Sequence, residues 1–359
     1  MASTTFLIGA YGYTAKLIAA KMAEANLSFI AVGRDQSKLE QVLQGFANCV
    51  GIIVADCQDA ADLGFVAEGA IVVNCAGPFN LFAPQLISKC IEVGAHYLDI
   101  TGEQEIVRQS YEHYAALAIQ KQVCIVHSMA FESALSDLLL SRALQQINPS
   151  EIEEVLSYYQ LGSQQMSPGT KLTMKLANYA PNYIVEDQCL SPFVHQAAHV
   201  PAGLPFEAAR IVPYPEVIFA YERLKPKRAA SHFVVEQGSN LAFTGNLAQA
   251  APKQKTPIDS IIDRFKKVVH VGPDANARAG QTFDLYLLVR TTHKDHMESI
   301  AGSNMYELSA ALVVLALQRF GLSTLHLGVQ SPGQFLGQSG LRWLANNPYF
   351  QFKNHQPVK

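Results

Sequence analysis

The chain has 359 residues, 49% of them hydrophobic and 16% charged, which suits a compact protein large enough for two domains and excludes a disordered one. Its formal charge of −3 offers no footprint for nucleic acid, and "KPKR" (225–228) and "RFKK" (264–267) read as solvated faces. The six cysteines (Cys49, Cys57, Cys75, Cys90, Cys124 and Cys189) form no CxxC, so neither a disulfide framework nor a zinc site is expected, and reduced thiols point to the cytoplasm.

The chain opens with alternating strand and helix patterns. "TTFLIGA" reads as a strand and "YTAKLIAAKMAEA" as a helix with Leu17, Ile18 and Met22 inward. No basic residue precedes the apolar run, so it is not read as a signal peptide. "SFIAVG" (28–33), "VGIIVAD" (50–56), "AIVVNCAG" (70–77), "HYLDIT" (96–101) and "VCIVH" (123–127) follow as strands. Helices are expected at "QSKLEQVLQG", at "PQLISKCIEVG" from Pro84 to Gly94, and around 104–120. Near-continuous Val/Ile runs mean strands covered on both faces, hence a parallel, doubly wound sheet.

After residue 128 the rhythm changes. "EEVLSYYQL", "SHFVVEQ" and "TFDLYLLVRTT" suggest a mostly antiparallel sheet, "SPGTKLTMKLANYA" (167–180) a turn feeding a helix, and 181–228 is rich in proline. "SNMYELSAALVVLALQRFG" (303–321) reads as a helix with Asn304 and Glu307 at capping-box spacing, and "SPGQFLGQSGLRWL" as another. The apolar stretch 309–317 is too short to span a bilayer and reads as buried, with a peripheral membrane contact left open. The expected fold is α/β: a Rossmann domain over 1–128, an α+β substrate and dimerisation domain over 129–300, and helices over 301–359 packing back on the first domain.

Gly9 and Gly12 follow the first strand, with Ala15 three residues on. The first glycine permits a tight turn, the second lets a diphosphate approach bare backbone, and the small third residue lets helix and strand pack closely. Gly9, Tyr11, Gly12, Tyr13 and Thr14 are therefore expected to hold a dinucleotide at the helix N-terminus. At the end of the second strand Arg34 favours the 2′-phosphate of NADP, with Lys38 adding charge, whereas Asp35 as ribose acid would favour NAD. Asp56 stands where it can reach the adenine or cap the next element. Asn74, Ala76, Gly77 and Pro78 form the loop expected beside the nicotinamide ribose.

A proton donor belongs where loops leave the carboxyl ends of the strands. Asp99, Thr101 and Glu103 follow the fifth strand, and His127, Glu132 and Ser133 the sixth; Asp99, Glu103 and Glu132 are the carboxylates chosen, with helix capping as the competing reading. Tyr221 and Lys225 show YxxxK spacing in a proline-rich context and are set aside. "HQAAH" (His195, His199) and "HKDH" (His293, His296) are read as surface or packed histidines, and no metal is expected. Tyr159 is read as core.

With these residues placed, the chain resembles the saccharopine dehydrogenase-like oxidoreductases, a family that includes bacterial trans-acting enoyl reductases. The resemblance rests on "GAYGYTAKLIA", where the family tends to read GATGYTG, on "GRD", "VVNCAGPF", "GAHYLDITGE" (94–103) and "MAFESALSDLLL" (129–140). It implies an NADP-dependent oxidoreductase moving a hydride to or from a C=N, C=O or activated C=C bond. Ala15 departs from the third glycine, and Ala130, Glu132 and Ala134 depart from the family's Gly-Phe-Asp-Ser-x-Pro-x-Asp run. That loop should border the nicotinamide, so an altered substrate or a lost activity is expected, with an NADP(H) sensor without turnover as the alternative; the aromatic and aliphatic content of 155–220 suggests an apolar or lipid-like acceptor. The partners expected are a small-molecule substrate and a second copy of the chain, with no transmembrane segment.

Overall fold

A computed structural model of the chain describes residues 3–162, 166–167, 170–171, 181–193, 197–235, 272–321 and 326–353. The chain divides into two compact units, Met1–Gln145 with Asn304–Tyr349, and Gln146–Ser303 with Phe350–Lys359.

The first unit begins with β1 (Thr5–Ile8), α1 (Tyr13–Glu24), β2 (Phe29–Gly33), α2 (Gln36–Gly45), β3 (Cys49–Val54) and β4 (Ile71–Asn74). It continues through α3 (Phe79–Val93), β5 (His96–Asp99), α4 (Gln104–Gln109), α5 (Ala115–Gln120), β6 (Cys124–Val126) and α6 (Phe131–Ala143). Residues 110–114 join α4 to α5 as one π-helical turn. The second unit holds β7 (Ile152–Leu161), β8 (Tyr183–Glu186), β9 (Cys189–Pro192), β10 (Ala197–Ala198), β11 (Ala209–Val212), α7 (Glu216–Leu224), β12 (Arg228–Val234), α8 (Ala275–Ala279), β13 (Thr282–Thr291) and β14 (Asp295–Ser303). The chain then returns to the first unit with α9 (Met305–Phe320), β15 (Gly328–Gln330) and α10 (Pro332–Asn346), and closes in the second with β16 (Phe350–Phe352).

The seven strands of the first sheet run parallel in the order β15-β6-β5-β4-β1-β2-β3, with the sense of winding reversing between β1 and β4. Short apolar strands β1, β4 and β6 are buried along their whole length, as a sheet covered on both faces requires. Strand β3 departs from this. It is the edge strand, and Val50 and Val54 are exposed, so its β-branched run does not mean two covered faces.

Helix α3 starts at Phe79 and carries Pro84 inside it, five residues earlier than the proline signal suggests. The terminus is legible only in three dimensions, because Glu103 supplies the cap. Gly94 ends the helix in the left-handed region as expected, at φ 78°. Asn304 precedes α9 in the left-handed region, at φ 61°, without the side-chain bond of a capping box. The apolar residues of 309–317 are mostly buried, with Ala311 and Leu315 half-buried, and α9 packs on α1 and α6. No described helix is long and apolar enough to cross a membrane.

The first unit runs to Gln145 and not to 128, because α6 packs tightly on α10. A Cβ at Gly340 would stand 2.6 Å from a methyl of Leu138, so the two helices approach at a glycine. Asp137 Oδ2 accepts the Gly333 N–H at 2.6 Å, beside the capping box of Ser331 and Gln334 that starts α10.

In the second unit the main sheet path is β10-β11-β12-β7-β13-β14-β16 with β8 and β9 attached; β12 and β7 are parallel and the other pairs antiparallel. Tyr158 and Tyr159 point to opposite faces of β7 and both are fully buried, so this sheet too is covered on both sides.

Candidate nucleotide-binding site

Gly9 lies at φ 71°, and a Cβ there would stand 3.2 Å from Ala76 Cβ and 3.3 Å from Ala76 Cα and N. The loops after β1 and β4 thus meet backbone against backbone, which only glycine allows. Gly9 N donates to Val32 O at 2.9 Å and Gly12 N to Gly9 O at 2.8 Å, closing a tight turn. Gly12 is the N-cap of α1, with no side-chain cap bond and no acid in the first turn. The positive end of the helix therefore faces an approach with no anionic side chain of its own, which fits a bound diphosphate. Tyr13 packs edge-on against Tyr306 with ring centroids 5.0 Å apart, Thr14 is half-buried, and Ala15 is buried where a third glycine is usual.

At the end of β2 the tyrosine of the glycine turn folds across the strand. A Cβ at Gly33 would come within 2.6 Å of the Tyr11 ring, and the Arg34 backbone N–H donates to Tyr11 Oη at 3.3 Å. Lys38 Nζ stands 5.5 Å from the same ring's centre. Asp35 caps α2, accepting the Lys38 N–H at 3.1 Å, with Lys38 Nζ 3.2 Å from its other oxygen. Those hydrogen bonds hold its carboxyl below the usual range. A carboxylate spent on its own helix is a poor ribose ligand. Arg34 is held only lightly, 3.6 Å from Asp56 Oδ2 and 6.0 Å from the centre of the Phe82 ring, with more than a third of its side chain exposed. A phosphate can compete for such a guanidinium. Asp56 Oδ1 also accepts the Gln58 N–H at 3.1 Å, so it shapes its own loop as well as facing Arg34.

Asn74, Asp99 and His127 stand on one row along the carboxyl edge, since Asn74 pairs with Asp99 and Leu98 with Val126 in register. All three are fully buried. Asn74 Oδ1 accepts the Ala76 N–H at 2.9 Å, its Nδ2 donates to Tyr97 Oη at 3.0 Å, and Tyr97 donates to Asp99 Oδ2 at 3.0 Å. His127 Nδ1 is 2.7 Å from the same oxygen. The N–H groups of Ser128 and Thr101 donate to Oδ1 at 2.8 and 3.1 Å. Asp99 is thus an acceptor for four donors, the state of an ionised carboxylate. Burial first, then the Asp99 charge, holds the Tyr97 phenol well above its usual pKa, so it stays a donor. Asn74 sets the Ala76 turn through its Oδ1.

Glu103, expected among the proton donors, is a helix cap: Oε1 accepts the Phe79 N–H at 2.9 Å and Oε2 the Asn80 N–H at 2.8 Å, at the start of α3. The Gly77–Pro78 peptide just before it is cis. Thr101 Oγ1 in turn accepts the Glu103 N–H at 3.0 Å. Asp99 is likewise an anchor and not an exposed acid. Glu132 lies half-buried in the first turn of α6. Ser128 and Tyr97 join His127, already a candidate from the sequence, as part of the site; the signal for them is register, which becomes readable once strand order is known.

Residues 5–126 match the family of the saccharopine dehydrogenase NADP-binding domain. Over 150 residues it is 31% identical to the saccharopine dehydrogenase-like oxidoreductase of Homo sapiens, covering 37% of this chain and 35% of that protein. Over 142 residues it is 29% identical to the lipid droplet localized protein of Caenorhabditis elegans, covering 36% and 33%. The chain therefore spans about a third of the length of the curated relatives it matches. The fold extends further: the apo histidine-tagged saccharopine dehydrogenase (L-Glu forming) of Saccharomyces cerevisiae shares it at a TM-score of 0.59 and 11% identity, covering 98% of this chain and 99% of that one.

Outside the residues matched to that family, the weaker motifs resolve structurally. Lys225 Nζ sits 3.4 Å over the centre of the Tyr221 ring at the end of α7, a face contact and not a lysine beside a phenol. Tyr159 donates to Glu216 at 2.7 Å in the core, and Ser231 donates to the same carboxylate at 2.7 Å. His293 lies in the turn between β13 and β14 and His296 in β14, while His195 and residues 264–267 lie outside the described residues, as do 172–180. Among the described residues no group of three or more His, Cys, Asp and Glu could hold a metal.

Proposed function

We propose that the chain is an NADP-dependent oxidoreductase that exchanges a hydride with a C=N, C=O or activated C=C bond of an apolar acceptor. The observation that carries this reading is the junction of a Cβ-free turn with a helix N-terminus whose first turn holds no acid, beside an Arg34 that a partly exposed Asp56 restrains. NADP is favoured over NAD because Asp35 is committed to capping α2. When bound, the nucleotide supplies the hydride; Gly9 and Gly12 would seat its diphosphate, Arg34 and Lys38 its 2′-phosphate, and the loop Ala76–Gly77–Pro78 its nicotinamide ribose.

An apolar acceptor is supported by the second unit, where Tyr158, Tyr286, Ile211 and Leu288 form a buried cluster with Phe206, Leu204 and Val200 packed against it. Arg290, by contrast, is engaged by Glu154 and Asp295, and so is poorly placed to bind a dicarboxylate. A relative named for lipid droplets points the same way. With Asp99 and Glu103 bound to backbone amides, Glu132 is the carboxylate to test as proton donor. All six cysteines are free thiols, which supports a reducing, cytoplasmic compartment; a homodimer is the assembly expected, and light scattering decides it.

Fluorescence titration with NADPH, followed by its oxidation over imines, ketones and enoyl thioesters of increasing chain length, tests the reading. Binding with turnover that improves with acyl length is expected. Absence of NADPH binding removes the proposal.

A further inference from the structure

Two polar atoms on adjacent residues of the loop after β6 are buried and, among the described residues, have no hydrogen-bond partner: Nε2 of His127 and Oγ of Ser128. Buried polar atoms are nearly always satisfied, so two neighbours left open ask for an explanation. Their chemistry is opposite. Asp99 already accepts from Tyr97, Thr101 and Ser128, so the His127 Nδ1 facing its Oδ2 is the nitrogen that carries a proton, and in the neutral ring Nε2 is then an acceptor. Ser128 Oγ offers an O–H donor. Ser128 also has φ 59°, a conformation an L-residue adopts at some cost, and its backbone N–H is tied to Asp99. The pair stands at the carboxyl edge of the parallel sheet, where doubly wound folds bind ligands.

We propose that His127 Nε2 and Ser128 Oγ bind the carboxamide of the nicotinamide, the imidazole accepting from its NH2 and the hydroxyl donating to its C=O. A primary amide is the group whose donor and acceptor match this pair, and it is the polar end of the nucleotide for which the rest of the site is shaped. The inference rests on the NADP-binding reading above. Asp99 is the positioning residue: it selects the tautomer that leaves Nε2 able to accept, and it binds the Ser128 amide. Through Tyr97 and Asn74 the same carboxylate reaches the Ala76 turn that touches Gly9, so both ends of the nucleotide would be registered against one buried row. Neither atom reaches solvent, so the loop 127–130 has to open enough to admit one amide group.

Calorimetric titration of the full chain with NADP+ and with its acetylpyridine analogue, in which a methyl replaces the amide NH2, provides the test without requiring turnover. The wild type should bind NADP+ about fivefold more tightly than the analogue, the worth of one ordinary hydrogen bond. His127→Asn keeps an N–H toward Asp99 and removes Nε2, so both nucleotides should bind equally. Ser128→Gly suits the positive φ and removes only the hydroxyl; it should weaken both nucleotides about equally, because both keep the carbonyl. If the wild type binds both nucleotides with the same affinity, or if His127→Asn preserves the fivefold difference, the proposal is overturned while the NADP reading stands. If neither nucleotide binds, both fall. The wild-type comparison holds its value even if a variant fails to fold.

Discussion

Replacing Asp99 by asparagine keeps the volume of a fully buried side chain and changes only its hydrogen bonding. In the native site Oδ2 takes the Tyr97 hydroxyl and His127 Nδ1–H, and Oδ1 takes two backbone N–H groups. Whichever way the new amide turns, its NH2 faces two donors. With the NH2 toward Ser128 and Thr101 the conflict is with the backbone and cannot relax. With the NH2 toward His127 and Tyr97, the imidazole can change tautomer and the hydroxyl can rotate, at the expense of the Tyr97 bond. Two bonds to a charged group are then lost or weakened, at about 1.5–3 kcal/mol each, and partial relaxation leaves a net loss of about 3 kcal/mol. For a unit of roughly 190 residues that corresponds to a fall in Tm of about 6–12 °C. Differential scanning calorimetry of Asp99→Asn beside the wild type measures it. A shift below about 2 °C would refute the argument that this carboxylate is ionised and anchors the carboxyl edge.

Arg34→Ala should weaken NADPH by about 1.5–3 kcal/mol while leaving NADH nearly unchanged, as read by fluorescence titration; equal losses would show that Arg34 does not hold the 2′-phosphate. Gly9→Ala forces a side chain into the left-handed region against Ala76, and should lower unfolding free energy by about 1–3 kcal/mol together with NADPH affinity. Native behaviour in urea unfolding and in nucleotide titration would contradict that close approach. His232 is buried in the second unit, which lowers its pKa from 6.5 to about 4. A group that is harder to protonate when folded gives stability that is complete above pH 6.5 and is lost as the pH falls toward 4, here by up to about 3 kcal/mol. Urea unfolding across that range should show the slope, and His232→Gln should flatten it.

The local chemistry of the first unit was legible from its residues alone. A glycine turn after an apolar strand, Arg34 at the next strand end and a run of short β-branched segments each carry their meaning within a few positions, because turn geometry, charge and strand burial act locally. That was enough for the doubly wound sheet. What only the tertiary structure decided was where distant atoms meet. Glu103 caps a helix that starts 24 positions earlier in the chain, Tyr11 covers Gly33, and Asp99 reaches His127 across two adjacent strands. A carboxylate looks the same in sequence whether it donates a proton or satisfies a buried amide. The difference lies in which donors surround it, and strand register sets that.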